Sequence, residues 1–211
     1  MEYTLSPGRF MKNAEALEWS EVGSDEAALI ERCVAGEDAA CAALVAGQER
    51  MVFQLGLHLL GDRDEALDLA QEVFLRVFRT LHTFRGQSAL RTWVYRIVIN
   101  QARNRQRFWH RRRRKDHQSL DQHLVEHGDL RQPGDADQPD RVFARKEMAL
   151  RLWQALDALP FEQRTAIVLR EVDGMSYEEI AFSLDVAVGT VKSRLTRARQ
   201  ALRAELREAR P

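Results

Sequence analysis

Between Gly189 and Arg203 the sequence reads GTVKSRLTRARQALR, with five Lys or Arg and no carboxylate, in a chain of 211 residues whose formal net charge is zero. Cations at this density suit the binding of a polyanion rather than covalent chemistry, and the interleaved Ser, Thr and Gln add hydrogen-bonding groups able to read base edges. A second block, RNRQRFWHRRRRK from Arg103 to Lys115, holds eight Arg or Lys and again no acid. The acids lie elsewhere: Asp116 to Asp140 contains seven of them and one Arg. No phosphate-cradling glycine loop or nucleophile constellation accompanies these blocks, so the chain is expected to be no enzyme and to need no cofactor.

An Arg-rich helix is often only a solvated face, and the elements around the first block decide between that reading and DNA binding. At 100° per residue, Val191, Leu195, Ala198 and Leu202 fall on one stripe, which must pack on the rest of its domain. Lys192, Ser193, Thr196, Arg197 and Gln200 then project from the opposite side. Directly upstream, SYEE at Ser176 to Glu179 has capping-box form and starts a short helix carrying Ile180, Ala181 and Leu184. A turn of about four residues, DVAV, separates the two. Short helix, tight turn and basic helix make a helix-turn-helix pattern. In the major groove, Lys192, Ser193, Thr196 and Arg197 are placed for base edges, and the flanking Arg194 and Arg199 for phosphates. Before the motif, MALRLWQALDALP predicts a helix ended by Pro160, and FEQRTAIVLREVDG one closed by Gly174.

The N-terminal half is also helical by pattern, so the fold class is all-α. A helix capped by Ser24 or Asp25 ends near Gly36, and one capped by Asp38 stops at Gly61. DRDE at Asp62 to Glu65 predicts the start of a third helix. Its inner face is Ala66, Ala70, Val73, Phe74 and Val77, and Asp68, Glu72, Leu75, Arg76 and Arg79 point away. Leu75 is an apolar side chain among charges. After the break FRGQSA a fourth helix turns Leu90, Val94, Ile97 and Val98 inward, sets Trp93 at the edge of that stripe, faces Tyr95 outward and runs into the basic block. The acidic stretch, interrupted by Pro133, Gly134 and Pro139, reads as a flexible linker. The predicted organisation is an extension over 1–23, a domain over 24–115, a linker over 116–140 and a helix-turn-helix domain over 141–211.

With 45% hydrophobic and 30% charged residues, the chain reads as a soluble globular protein. No apolar run is long enough to cross a bilayer and the first residues lack a secretory pattern, so the expected location is the cytoplasm, without membrane insertion. Cys33 and Cys41 read as buried thiols. His117, His123 and His127 have no acids or cysteines at ligand spacing, so no metal is expected.

LPFEQRTAIVLREVDGMSYEEIAFSLDVAVGTVKSRLTRARQALR resembles region 4 of the extracytoplasmic-function (ECF) sigma factors, the part that reads the −35 promoter element. GDRDEALDLAQEVFLRVFRTLHTFRGQSALRTWVYRIVINQARNRQR is similar to region 2 of the same family, which engages core RNA polymerase and opens the −10 element. Asp185 and Ala187 stand where the family often has Gly and Pro, and a mildly strained turn is expected at Asp185, since Asp tolerates left-handed geometry.

The resemblance implies that Asp68, Gln71, Glu72 and Leu75 dock on core polymerase. It implies that Phe84, Arg85, Gly86, Gln87, Ser88 and Ala89, with Asn100, form the pocket for a flipped −10 base. Tyr95 stays open for a stacking role, and Arg103, Arg105 and Arg107 are expected to hold phosphates of the opening duplex. Ser88 is equally a helix cap, and Arg111 to Arg114 equally the solvated start of the linker. The implied partners are core RNA polymerase, promoter DNA that is double-stranded at −35 and partly single-stranded at −10, and an anti-sigma factor. The implied function is promoter-specific initiation of transcription. The competing function is a helix-turn-helix regulator that acts without replacing the sigma subunit.

Overall fold

The computed structural model describes residues 24–86, 88–113 and 139–208. Among them run eight α-helices: α1 (Ser24–Val34), α2 (Asp38–Leu60), α3 (Arg63–Thr80), α4 (Leu90–Arg113), α5 (Pro139–Ala158), α6 (Phe161–Glu171), α7 (Tyr177–Leu184) and α8 (Val188–Glu208). A single 3-10 turn, Leu81–Thr83, follows α3, and no strand occurs among the described residues. Residues 1–23, Gln87, Arg114, Lys115, most of the acidic linker with its three histidines, and 209–211 lie outside the description. So do the side chains at 24, 110–113, 139–146 and 207–208.

The helix ends follow local sequence. α2 stops at Gly61, whose φ of 73° is left-handed and whose amide donates to the Leu57 carbonyl at 2.8 Å. The Asp62 carboxylate then accepts from the Glu65 amide at 2.9 Å and starts α3. Asp38 is the first residue of α2 rather than its cap, a place taken by Glu37 in extended conformation. The α2 and α3 backbones approach closely where Gly56 faces Ala66. A Cβ at Gly56 would sit 3.1 Å from Leu69 Cδ2, so the contact depends on the missing side chain.

In α3 the buried face is Ala66, Leu69, Val73 and Val77, with Ala70 and Phe74 packed against the core. Both sides of α4 are covered. One side meets α2 and α3, and the other meets α7, which corrects the sequence reading of Tyr95. That side chain is 2% exposed and stands among the largest fully buried groups. A single helical period cannot reveal a second buried face supplied by a distant element. Trp93 is partly buried against the core, its ring 5.5 Å from that of Phe84.

The halves on either side of the linker are in contact, and one apolar cluster runs from Ile30 and Leu55 through Tyr95 and Ile99 to Leu156, Ile167, Ile180 and Leu195. At the junction the buried Arg164 of α6, 4% exposed, donates to the carbonyl of Leu59 in α2 at 3.1 Å. It also donates to the carbonyl of Asp157 in α5 at 2.7 Å and pairs with the Asp157 carboxylate at 2.8 Å. The His58 ring stacks on Trp153 nearby, centroids 5.0 Å apart. Burial lowers the Arg164 pKa and Asp157 opposes that shift.

Replacing Arg164 by Leu strands buried helix-end carbonyls, so Arg164→Leu is expected to lower stability by about 2–3 kcal/mol. The urea midpoint measures this, and an unchanged midpoint would show that the carbonyls find other donors.

Candidate nucleic-acid interface

The basic helix is held by a motif whose joints are individually satisfied. Ser176 Oγ accepts from the Glu179 amide at 3.1 Å, and the Glu179 carboxylate accepts from the Ser176 amide at 2.7 Å. The predicted capping box is therefore closed on both sides. Arg170 donates to the Met175 carbonyl at 2.7 Å and steadies the approach to α7. Asp185 ends α7 at φ 57° and ψ 49°, the left-handed geometry expected of it, and α8 follows after Val186 and Ala187.

Along α8, Val191, Leu195 and Ala198 are buried and Leu202 is partly buried against the core. Lys192, Ser193, Thr196, Arg197 and Gln200 are exposed. The stripe drawn from sequence is thus the observed packing surface. Ser193 Oγ donates to the Thr190 carbonyl at 2.9 Å and Thr196 Oγ1 to the Lys192 carbonyl at 3.0 Å. Both hydroxyl protons are used within the helix, so outward these residues present acceptors, while Lys192 and Arg197 present donors.

The flanking cations are already paired. Arg194 lies 2.9 Å from a Glu162 carboxylate oxygen, and Arg199 lies 2.7 Å from Glu171. The hydrogen bond that Arg199 donates to the Glu171 carboxylate raises the Arg199 pKa.

On α4, Arg103 meets the same Glu162, with Nε 2.9 Å and NH2 3.3 Å from its two oxygens, and its NH1 donates to Asn100 Oδ1 at 3.1 Å. Asn100 is exposed. Arg105 is turned inward: it lies 2.5 Å from the Glu65 carboxylate and 2.8 Å from that of Glu72, its side chain 17% exposed. Burial would lower its pKa, but Glu72 and Glu65 together raise it. Its observed work is to tie α4 to α3. Arg107 is exposed.

In the preceding loop, Phe84 is half-buried against Trp93, while Arg85 and Gly86 are exposed. Gly86 has φ 66° and so needs to be glycine. Gln87 lies outside the described residues. Ser88 is 2% exposed and its hydroxyl donates to the Ala89 carbonyl at 3.2 Å, with Ala89 half-buried at the start of α4.

On the outer face of α3, Asp68, Gln71, Glu72 and Leu75 are all exposed, with Leu75 at 56%. Leu67 and Phe78 are exposed beside them, and sequence reading missed both. Their spacing of 11 residues spans about three turns, a signal that was present but hidden by the stronger inner stripe. Glu162 was missed as well, because nothing in its neighbourhood marks a carboxylate that two distant arginines share. Cys33 is buried and Cys41 half-buried, with the Cys33 thiol pushed up to about 12 by burial.

Residues 44–115 match the Sigma-70 region 2 family and residues 149–202 match Sigma-70, region 4. The chain is 38% identical over 193 residues to the RNA polymerase sigma-H factor of Pseudomonas aeruginosa, a match covering 82% of this chain and 90% of that protein. It is 36% identical over 177 residues to the ECF RNA polymerase sigma-E factor of Escherichia coli, with 82% of this chain and 90% of that protein covered. Among solved structures, CnrH in complex with the cytosolic domain of CnrY matches with a TM-score of 0.62 at 25% identity, over 87% of this chain and 97% of that one. The sigma factor RpoE in complex with the anti-sigma factor NepR, from Bartonella quintana, shares the fold, with a TM-score of 0.62 at 24% identity over 80% of this chain and 98% of that one.

The buried Tyr95 borders a small cavity also lined by Arg91, Asp173 and Glu179. Burial raises the Asp173 carboxyl above its ordinary 3.8, against the opposing effects of Tyr95, His58 and Arg91. A carboxyl that holds its proton more tightly when folded favours the fold while neutral, and stability falls as pH climbs from the unfolded value through the folded one. Asp173→Asn is therefore expected to unfold at higher urea than the parent at neutral pH. The advantage should fade as pH drops below 3.8, and a variant that is less stable at neutral pH would contradict this assignment.

Proposed function

From the premise that this chain belongs to the extracytoplasmic-function sigma factors, which makes it an alternative sigma factor directing transcription initiation, we propose which surfaces do the work. The helix-turn-helix unit, 141–211, reads the −35 element through α8. Lys192, Ser193, Thr196 and Arg197 meet base edges, and Arg194 and Arg199 meet phosphates once freed from their carboxylates. The observation that carries this reading is the acid-free stretch of α8 from Gly189 to Arg203, whose Lys192, Ser193, Thr196, Arg197 and Gln200 are exposed opposite the buried Val191, Leu195 and Ala198.

The unit over 24–115 binds core polymerase through Asp68, Gln71, Glu72 and Leu75, to which Leu67 and Phe78 add apolar area. An exposed apolar patch within a polar rim is the anatomy of an interface core. The same unit takes up the −10 element with Phe84, Arg85, Gly86, Gln87, Ala89 and Asn100, and steadies the opening strands with Arg103 and Arg107. Ser88, being buried, supports the loop from behind. Arg105 serves by fixing α4 on α3. In this reading the chain performs no covalent chemistry and takes no metal or cofactor. Among the described residues no helix is long and apolar enough to cross a membrane. An anti-sigma factor is proposed as a further partner, in keeping with the relative CnrH, solved with the cytosolic domain of CnrY.

Run-off transcription with purified core polymerase tests the whole: the chain is expected to confer specific initiation on core enzyme, whereas a regulator would only alter initiation by an existing holoenzyme. Arg197→Ala should lose upstream-element discrimination worth about 1–3 kcal/mol in binding to the isolated element. Leu75→Asp should weaken core polymerase binding while leaving DNA binding by α8 intact, and equal polymerase affinity would remove α3 from the docking surface.

A further inference from the structure

Glu162, in the first turn of α6, is shared by two arginines that the reading above assigns to DNA in different halves of the protein. Arg103 of α4 reaches both of its oxygens, and Arg194 of α8 lies 2.9 Å from one of them. A carboxylate ion-paired with two arginines on different helices stands where the charge of a phosphate diester could stand. The surrounding contacts lay the helix-turn-helix unit over the basic face of α4. The Arg103 guanidinium sits 5.8 Å above the Phe161 ring, and Arg96 lies 5.9 Å from the Phe182 ring and 3.4 Å from the Asp185 carboxylate. Arg103 and Arg194 each keep only 20% side-chain exposure, while Lys192 and Arg197 of α8 are exposed.

We propose that the packed arrangement is a self-masked state in which Glu162 occupies Arg103 and Arg194 in place of DNA phosphates, so that the duplex must displace it before both arginines can bind. The inference rests on the phosphate roles given to those two arginines. Glu162 itself is 37% exposed, so water and ions reach the cluster and its ion pairs are weak enough to exchange for a polyanion. A DNA duplex gains further from the release of its condensed counterions, which an internal carboxylate cannot match. The masked state therefore lowers stray DNA binding by the free chain without blocking a promoter that engages both units at once.

The test uses the full chain without polymerase and a random-sequence duplex as probe, so its outcome is independent of whether the chain binds core enzyme. Glu162→Gln keeps the side-chain shape and removes the charge. It is expected to bind the duplex about tenfold tighter, with a slope of log affinity on log salt steeper by about two, one for each arginine released. Glu171→Gln removes the same charge from Arg199 within one unit, and its slope is expected to change by no more than about one. Spin labels placed through Arg76→Cys and Glu205→Cys, in a chain carrying Cys33→Ala and Cys41→Ala, are expected to move apart when duplex is added. Equal gains for the two Gln variants, no gain for Glu162→Gln, or an unchanged label distance on DNA addition would each overturn the proposal.

Discussion

Two helix C-termini, those of α2 and α5, converge on the guanidinium of Arg164, and most of the arrangement around the linker depends on how that group is satisfied. The last turn of a helix leaves carbonyls without intrahelical partners and concentrates partial negative charge. Carbonyls in such turns, of Leu59 and Asp157, accept from Arg164. Burying a guanidinium is costly unless it is paired, and the Asp157 carboxylate at 2.8 Å supplies the pairing. Arginine fits where lysine would not, since its planar fork can point donors at acceptors from several helices at once. By fixing α6 against α2, this one side chain sets where the helix-turn-helix unit sits on α4.

Charge is handled differently at the surface. The net charge is zero, yet several arginines beside the proposed DNA faces are paired with carboxylates: Arg103 and Arg194 with Glu162, Arg105 with Glu65 and Glu72, Arg199 with Glu171. Solvent-accessible pairs of this kind each contribute roughly 0–1 kcal/mol, so they orient side chains more than they stabilise the fold. Arg105, the most enclosed of these, is a structural tie. The pairs made by Arg103, Arg194 and Arg199 are the ones proposed to exchange for a polyanion, which joins the DNA reading of α8 to the packing of the two halves.

How much was legible in the sequence depended on the range of the interaction responsible. The capping box at Ser176, the left-handed Asp185, the stop at Gly61 and the buried stripe of α8 are local, set by groups within a few residues of one another, and each stands where the pattern put it. The exposed Leu75 and the outer face of α3 were legible for the same reason. Family membership was legible too, because the two motifs that carry it are contiguous stretches.

Contacts between elements far apart in the chain were decided only by tertiary structure. Tyr95 lies on a second buried face of α4 that exists because α7 covers it. Arg105 turns inward because α3 places Glu65 and Glu72 beside it. Glu162 becomes a shared partner because α4 and α8 reach it from opposite sides, 59 residues before it and 32 after. Helical periodicity reports one packing direction at a time, whereas burial from a second side and the pairing of remote charges depend on where the linker lets two halves meet. That is why the sequence alone determined the elements, their faces and the family, and only the folded chain decided which of the basic side chains stay open to a polyanion and which are already held.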